Sequence, residues 1–392
     1  MKLFSSITFT TGLAVFSMLF GAGNLIYPLL SGATSGDHHL LGIIAFCLTA
    51  VCLPIIGLMG IILFDGDYEQ FFYRLGKVPG DFLIFLSLML LGPLLVLPRI
   101  ITLSHTMLAP FMPALTEISP INSFIFCIIF LSITFLATYR ENKIVDILGK
   151  FISPALLVAL AVIIIKGLLM PGHLLPSSKI EFDIIKENLV RGYETLDLLS
   201  SLYFAAMIFH ILKQKVNPET SNQPRALAWI ALKAGLLGAS LLGIVYVGMS
   251  YLGAYHGYGL ENTKAELFRE IAFRVLGSHG AFIIATAVIM ACLSTAIALS
   301  AIVAEYLQTK FFKNKVSYTL ALIITLLACI PLSIGGLDQI LAITAGPLLY
   351  IIYPVFIALT FCNIAYKLFG FTPIKVPVLI TLIFAIISYY FI

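Results

Sequence analysis

Twice, about 170 residues apart, an apolar run long enough to cross a bilayer is interrupted by residues that break helices. The first interruption is Phe20-Gly21-Ala22-Gly23-Asn24-Leu25-Ile26-Tyr27-Pro28. The second is Arg191-Gly192-Tyr193-Glu194-Thr195-Leu196-Asp197, after which the chain stays apolar through Phe209. Backbone released from a helix at membrane depth is tolerated only where protein or a water-filled cavity satisfies it. Breakers at corresponding places in two halves of a membrane chain are the pattern of a transporter's binding site.

The rest of the composition fits that setting. Only 11% of the residues are charged and 60% are hydrophobic, with mean hydropathy +1.05, against about 25% charged in soluble domains. The chain therefore reads as one polytopic membrane domain over 1–392. Its net charge of +4 bears on topology rather than on nucleic acid. No Gly-rich phosphate loop, metal-ligand cluster or nucleophile elbow stands out, so no enzyme, resident cofactor or nucleic-acid partner is expected. Cys47, Cys52, Cys127, Cys292, Cys329 and Cys362 all fall in apolar runs and read as packing residues. Met1-Lys2 and the following apolar stretch resemble a signal peptide as far as Gly21-Ala22-Gly23. The run continues to Leu30, which favours a membrane span.

With roughly 20 apolar residues per span, eleven spans are expected, near 5–30, 41–64, 82–107, 122–138, 151–170, 191–212, 226–252, 281–308, 317–334, 339–362 and 376–392. Placing the N-terminus in the cytoplasm puts most of the 23 basic residues on the cytoplasmic side, as the positive-inside rule requires. Spans one to five (about 5–170) and six to ten (about 191–362) form two sets of five. An odd number gives them opposite orientations, as in an inverted repeat, with 376–392 peripheral. Residues 263–276 carry Leu267, Phe268, Ile271, Ala272 and Val275 near one helical face, with Thr263 placed to cap and Glu266 three residues on. This segment reads as an amphipathic helix at the outer mouth, either gating or simply packed.

Three groups of residues bear on chemistry. Gly21, Ala22, Gly23 and Asn24 free amides that suit a carboxylate, unless the glycines serve only close helix packing. Glu194 and Asp197 either cap a helix at the interface or sit at the break beside Thr195, where a carboxylate meets a substrate ammonium or a cation. Asp197 is the deeper of the two. Ser294 and Thr295, within Ala291-Cys292-Leu293-Ser294-Thr295-Ala296, either bond back to their own helix or join freed carbonyls in an oxygen site for a small cation. Arg99, after Gly92-Pro93 and Leu97-Pro98, lies deep in the third span without an evident partner. His105, His210 and Lys233 read as isolated polar groups.

These stretches resemble the branched-chain amino acid:cation symporter family, the bacterial carriers of leucine, isoleucine and valine, within the amino acid–polyamine–cation superfamily. The likeness rests on Phe20 to Ile26, on Gly92-Pro93-Leu94 with Leu97-Pro98-Arg99, and on Gly192 to Asp197. It implies the five-plus-five inverted-repeat (LeuT-like) all-α fold with discontinuous first and sixth helices, in the bacterial cytoplasmic membrane. Span eight resembles the sodium-binding stretch of the neurotransmitter:sodium symporters. By that likeness Ser294 and Thr295 give hydroxyls, and Ala291, Ser17 and Phe20 give carbonyls, to one sodium ion. Two departures stand out. The family usually has twelve spans, which leaves dimerisation open, and it more often reads Phe-Pro-Pro where this chain has Tyr27-Pro28-Leu29.

The resulting expectation is a sodium-coupled importer of branched-chain amino acids working by alternating access. Its substrate would lie between spans one and six, with Gly21 to Gly23 at its carboxylate, Thr195 and Asp197 near its ammonium, Leu94, Tyr203 and Phe204 around its side chain, and Asn24 and Tyr193 also in contact with it. A proton in place of sodium, another apolar amino acid, and a channel or substrate sensor on the same scaffold are the alternatives.

Overall fold

The computed structural model describes residues 6–112, 120–139, 152–174, 176–177, 179–216, 224–260 and 266–391. Helices account for its regular structure, and no strand occurs among the described residues. The first apolar run folds as Ser6–Leu19 and Ala22–Ser35, parted at Phe20-Gly21. The Gly21 amide would close a helical turn onto the Ser17 carbonyl. It donates instead to the Leu19 carbonyl at 2.9 Å and to Asn24 Oδ1 at 3.0 Å, which releases Ser17 O from the helix.

The sixth run is also two helices, Glu181–Glu194 and Asp197–Lys215. Leu196 between them sits in the left-handed region at φ 65°, a conformation that costs a side-chain-bearing residue roughly 1–2 kcal/mol. This span starts about ten residues earlier than hydropathy places it. The charges of Glu181, Asp183, Lys186 and Glu187 hide an amphipathic helix whose buried face is Ile184, Asn188, Arg191 and Gly192. Glu194 and Asp197 consequently stand at the break, not at the membrane surface end of a helix.

The third span bends through a π-turn at Leu90–Leu94, where Gly92 leaves helical geometry, and resumes as Val96–Leu108. The seventh is Pro224–His256. The eighth, Leu267–Tyr306, is kinked at Gly277, whose φ of 70° suits glycine. The segment before that kink is the expected amphipathic helix, and Leu267, Phe268, Ile271, Ala272 and Val275 are all buried. Its expected cap, Thr263, lies outside the described residues.

Seven helices among the described residues are long and apolar enough to cross a membrane. One of them, Ala22–Leu63, joins the second half of run one to run two through the turn Gly36–His38. An eighth appears if Tyr318–Ile334 and Leu337–Thr344, bent by 103°, are one span, and Ile7–Leu19, Ser153–Leu169 and Lys375–Tyr390 are shorter apolar helices. The tenth run does not begin in one piece at 339: Leu337–Thr344 is separate from Pro347–Phe369, because Gly335-Gly336 and Gly346-Pro347 interrupt it on either side.

Both halves of the first span pack along Pro224–His256, Glu181–Glu194 packs on His39–Cys47, and Asp197–Lys215 packs on Leu53–Leu63. The tightest seam is backbone on backbone. A Cβ on Gly32 would lie 1.8 Å from Ser250 O, and one on Gly253 2.0 Å from Leu29 O. Small residues permit this approach, which is how membrane helices gain van der Waals contact. Ile133, Val162, Ile244, Ile283 and Phe384, on five different helices, are exposed, as suits contact with hydrocarbon.

Candidate functional site

The two helix breaks meet in the middle of the bundle. A Cβ on Gly23 would stand 3.3 Å from Thr195 Cα. Asn24, one turn into the second half-helix, donates from Nδ2 to Asp197 Oδ2 at 2.6 Å and also contacts the Tyr246 hydroxyl. Tyr246 in turn donates to the same carboxylate oxygen at 3.1 Å. Asn24, Asp197 and Tyr246 are 2%, 2% and 0% exposed, so this carboxylate is held by protein donors away from solvent. Thr195 Oγ1 bonds Gly192 O at 2.8 Å, and the Leu198 amide reaches the Tyr353 hydroxyl at 3.2 Å. Those two bonds tie off groups that the break would otherwise leave unsatisfied.

Beside the first break lies a cluster of oxygens. Ser294 Oγ is 3.0 Å from Ser17 O and 2.7 Å from Ala291 O, and Ser17 Oγ is 3.0 Å from Ser294 Oγ. Thr295 Oγ1 lies 3.4 Å from Ser17 O, 3.3 Å from Phe20 O and 3.3 Å from Ala291 O. All five residues expected to share an ion, Ser17, Phe20, Ala291, Ser294 and Thr295, are thus within one hydrogen-bond radius of two hydroxyls. Ser294 keeps its closest bond to its own helix. Thr295 faces three carbonyls at long range and can donate to only one of them. Ser17 O, released by the break, is thus met by hydroxyls of the eighth span in a cluster made of carbonyl and hydroxyl oxygens. The cluster carries no carboxylate, which matches a singly charged hard cation better than a transition metal. No group of three or more His, Cys, Asp or Glu residues suited to a metal occurs among the described residues.

Arg99 finds its partners in the second break. It is 1% exposed, and its guanidinium donates to Glu194 O at 2.7 Å and Thr195 O at 3.2 Å. These are the last carbonyls of Glu181–Glu194, where the helix dipole is negative. The guanidinium also lies against the first break, since a Cβ on Gly23 would be 2.8 Å from Nη2. One buried cation therefore touches both interrupted helices.

A cavity of about 480 Å³ approaches this region from the face bearing Lys179, Glu187 and Arg191, the face that the basic-residue bias leads one to expect outside, with Tyr27, Glu194 and Tyr350 among its lining. Arg191 seals its wall by donating to Leu30 O at 3.0 Å and to Thr34, and by pairing with Glu187.

The remaining expected substrate residues are distributed differently. Gly21, Ala22, Gly23, Asn24, Thr195 and Asp197 come together, though the Gly21 amide is already engaged within the chain. The first free turn of the half-helix is therefore that of Ala22 and Gly23. Tyr193 packs its ring 4.9 Å from that of Tyr353. Tyr203 points the other way along its helix, bonding Ser87 and packing on Tyr68 and Phe72. Phe204 is buried in the core, and Leu94 is 42% exposed at the third-span bend, apart from the buried cluster. Tyr246, Tyr353 and the contacts of Arg99 were not legible in sequence. The two tyrosines sit in unbroken apolar helices, and the acceptors of Arg99 are backbone carbonyls, which have no residue signature.

Two broken helices crossed at mid-bundle and held by a third define a polytopic membrane transporter of the five-plus-five inverted-repeat fold. Solved structures agree on the fold. MhsT in complex with L-phenylalanine is 17% identical, with a TM-score of 0.58 and coverage of 97% of each chain. The inward-facing conformation of Mhp1 is 16% identical, with a TM-score of 0.61 over 92% of this chain and 77% of that one. The sequence is also 29% identical to the branched-chain amino acid permease BraB of Bacillus subtilis, over 92% of this chain and 80% of the permease. The chain belongs to the branched-chain amino acid transport protein family, whose pattern matches residues 5–390. It is a transporter and not an enzyme.

Proposed function

We propose that this protein is a sodium-coupled symporter that imports leucine, isoleucine and valine across the bacterial cytoplasmic membrane, with its N-terminus inside. The observation that carries the coupling is the carboxylate-free oxygen cluster joining the first break to Ser294 and Thr295. Sodium there would tie Ser6–Leu19 to the eighth span and so fix the first break beside which substrate binds. Each ligand then raises the affinity for the other. The substrate carboxylate faces the amides of Ala22 and Gly23, and its ammonium faces Asp197 and Thr195. Aliphatic substrates differing by one methylene are expected to compete within about 1–3 kcal/mol. Within repeats of about 5–170 and 191–362, rocking of the first two spans of each would alternate access, with the helix near 376–392 peripheral to that core.

The test is uptake of radiolabelled leucine into proteoliposomes under an inward sodium gradient, and again with potassium in place of sodium. Sodium-dependent accumulation is expected. Thr295→Ala should raise the sodium concentration for half-maximal uptake by about tenfold or more, since even groups that only support metal ligands contribute about 10–100-fold. Equal accumulation in potassium under an inward proton gradient would replace sodium with a proton and turn attention to the Asp197 carboxylate. Flux of ions without amino acid would indicate a channel, and binding without accumulation a sensor.

A further inference from the structure

The second half of span six starts without a cap of its own. An α-helix leaves its first amides unpaired, and a Ser, Thr, Asp or Asn just before it usually supplies an acceptor. The residue before Asp197–Lys215 is Leu196, whose side chain accepts nothing. The Asp197 amide reaches back to Thr195 Oγ1, at a long 3.4 Å. The Leu198 amide is met from another helix: it donates to the Tyr353 hydroxyl, in Pro347–Phe369, at 3.2 Å. The ring of the same tyrosine lies 4.9 Å from that of Tyr193, in the other half of span six. Tyr353 is buried and touches both sides of the break. Span ten holds it on a fixed frame. One turn further on, Phe356 packs edge-on against Phe72 at 5.9 Å. Two turns beyond that, Asn363 donates from Nδ2 to Phe71 O at 3.0 Å and accepts from Arg74 on Oδ1 at 3.1 Å. A side chain seated by such packing orients what it touches instead of following it.

We propose that Tyr353 is a positioning residue of the substrate site. As a cap supplied by span ten, it fixes the direction in which the second half-helix leaves the break. It thereby places Asp197, one residue before Leu198, against Asn24 and Tyr246. Leu196 cannot do this alone: its left-handed turn at φ 65° joins two half-helices whose relative angle depends on what holds each side. Tyr353 holds both, by its ring on Tyr193 and by its hydroxyl on the Leu198 amide. Closing that amide also removes a donor that would compete with the amides of Ala22 and Gly23 for a carboxylate. Tyr353 acts through the half-helix and not by touching the substrate. This inference rests on the reading of the chain as a leucine carrier with Asp197 at the ammonium.

The experiment compares the full-length carrier with Tyr353→Phe and Tyr353→Leu in proteoliposomes, at equal protein in the membrane. Phenylalanine keeps the ring on Tyr193 and removes the hydroxyl, while leucine removes both. Loss of a helix cap corresponds to about fivefold in an equilibrium. Tyr353→Phe is therefore expected to raise the KM for leucine about fivefold with the maximal rate retained, and Tyr353→Leu to raise it further. Hydrogen exchange is measured on the purified unaltered protein and Tyr353→Phe, by mass spectrometry of peptides spanning 196–203. It should be faster in the variant, because an uncapped helix end opens more readily. A lower maximal rate with KM unchanged would make the tyrosine a folding residue only, and overturns the proposal. So does a KM shift in Tyr353→Leu with none in Tyr353→Phe, which would assign the effect to the ring. Absence of leucine uptake by the unaltered protein overturns the carrier reading by itself. The exchange measurement does not depend on uptake and then decides the cap: faster exchange supports it, and unchanged exchange overturns it.

Discussion

Asp197→Ala is expected to reduce leucine uptake by on the order of 30-fold to 3,000-fold, the range that follows from about 2–5 kcal/mol for truncating one member of a buried charge pair. The carboxylate receives Asn24 and Tyr246 on the same oxygen and so links the two interrupted helices. Its removal takes away the proposed partner of the substrate ammonium and leaves two donors facing each other. Asp197→Asn separates these effects. The asparagine carbonyl still accepts from Asn24, so the crossing of the two helices is retained while the charge is lost. Uptake near the unaltered level in Asp197→Asn, measured at equal protein in the membrane, would show that the carboxylate is architectural and that the ammonium is bound elsewhere.

The second large effect is on folding. Gly253→Ala should destabilise the protein by about 3 kcal/mol or more, the upper end for overpacking, because its new methyl would stand 2.0 Å from the backbone oxygen of Leu29. Backbone cannot rotate out of the way as a side chain does. Gly243→Ala on the same helix is the contrast, since its methyl would meet nothing nearer than Val51 at 3.9 Å. There the gain in helix propensity of about 1 kcal/mol should leave stability equal or higher. Thermal unfolding of both variants in detergent, with the fraction recovered from the membrane, decides the matter. Similar behaviour of the two would mean that the seam between the first and seventh spans is not as close as the structure has it.

Much of the fold was legible in the residues because a bilayer allows so few solutions. Apolar runs must be helices, and the glycines of the first run marked where it breaks, at Phe20-Gly21, while Pro28 lies within the second half-helix. The nearness of Ser17, Phe20, Ala291, Ser294 and Thr295 came from the resemblance of span eight to another family and not from the hydroxyls themselves, which could equally have bonded back to their own helix. The sixth span was misjudged at its start because hydropathy averages over a helix. The polar face of Glu181–Glu194 looks toward the outer cavity while Ile184 and Gly192 are buried. The side-chain pocket was the least legible part. Tyr203 and Leu94 stand on the right helices, but a phase of a few residues turned one toward Ser87 and left the other exposed. Helical phase about a break is set by the break's own dihedral angles, and those are not written in any single residue.

The interruptions themselves are held by the chain's own groups: Leu196 in its left-handed turn, Asn24 on the Gly21 amide, and Arg99 on the Glu194 and Thr195 carbonyls. Dipoles fixed in this way are oriented when the protein folds, so little reorganisation accompanies the arrival of a zwitterion, much as a preorganised receptor gains affinity by having nothing left to arrange. On the proposed cycle, loading of the site would be governed by diffusion through the cavity that Glu194 lines, and the slow part would fall to the motion of the helices around it.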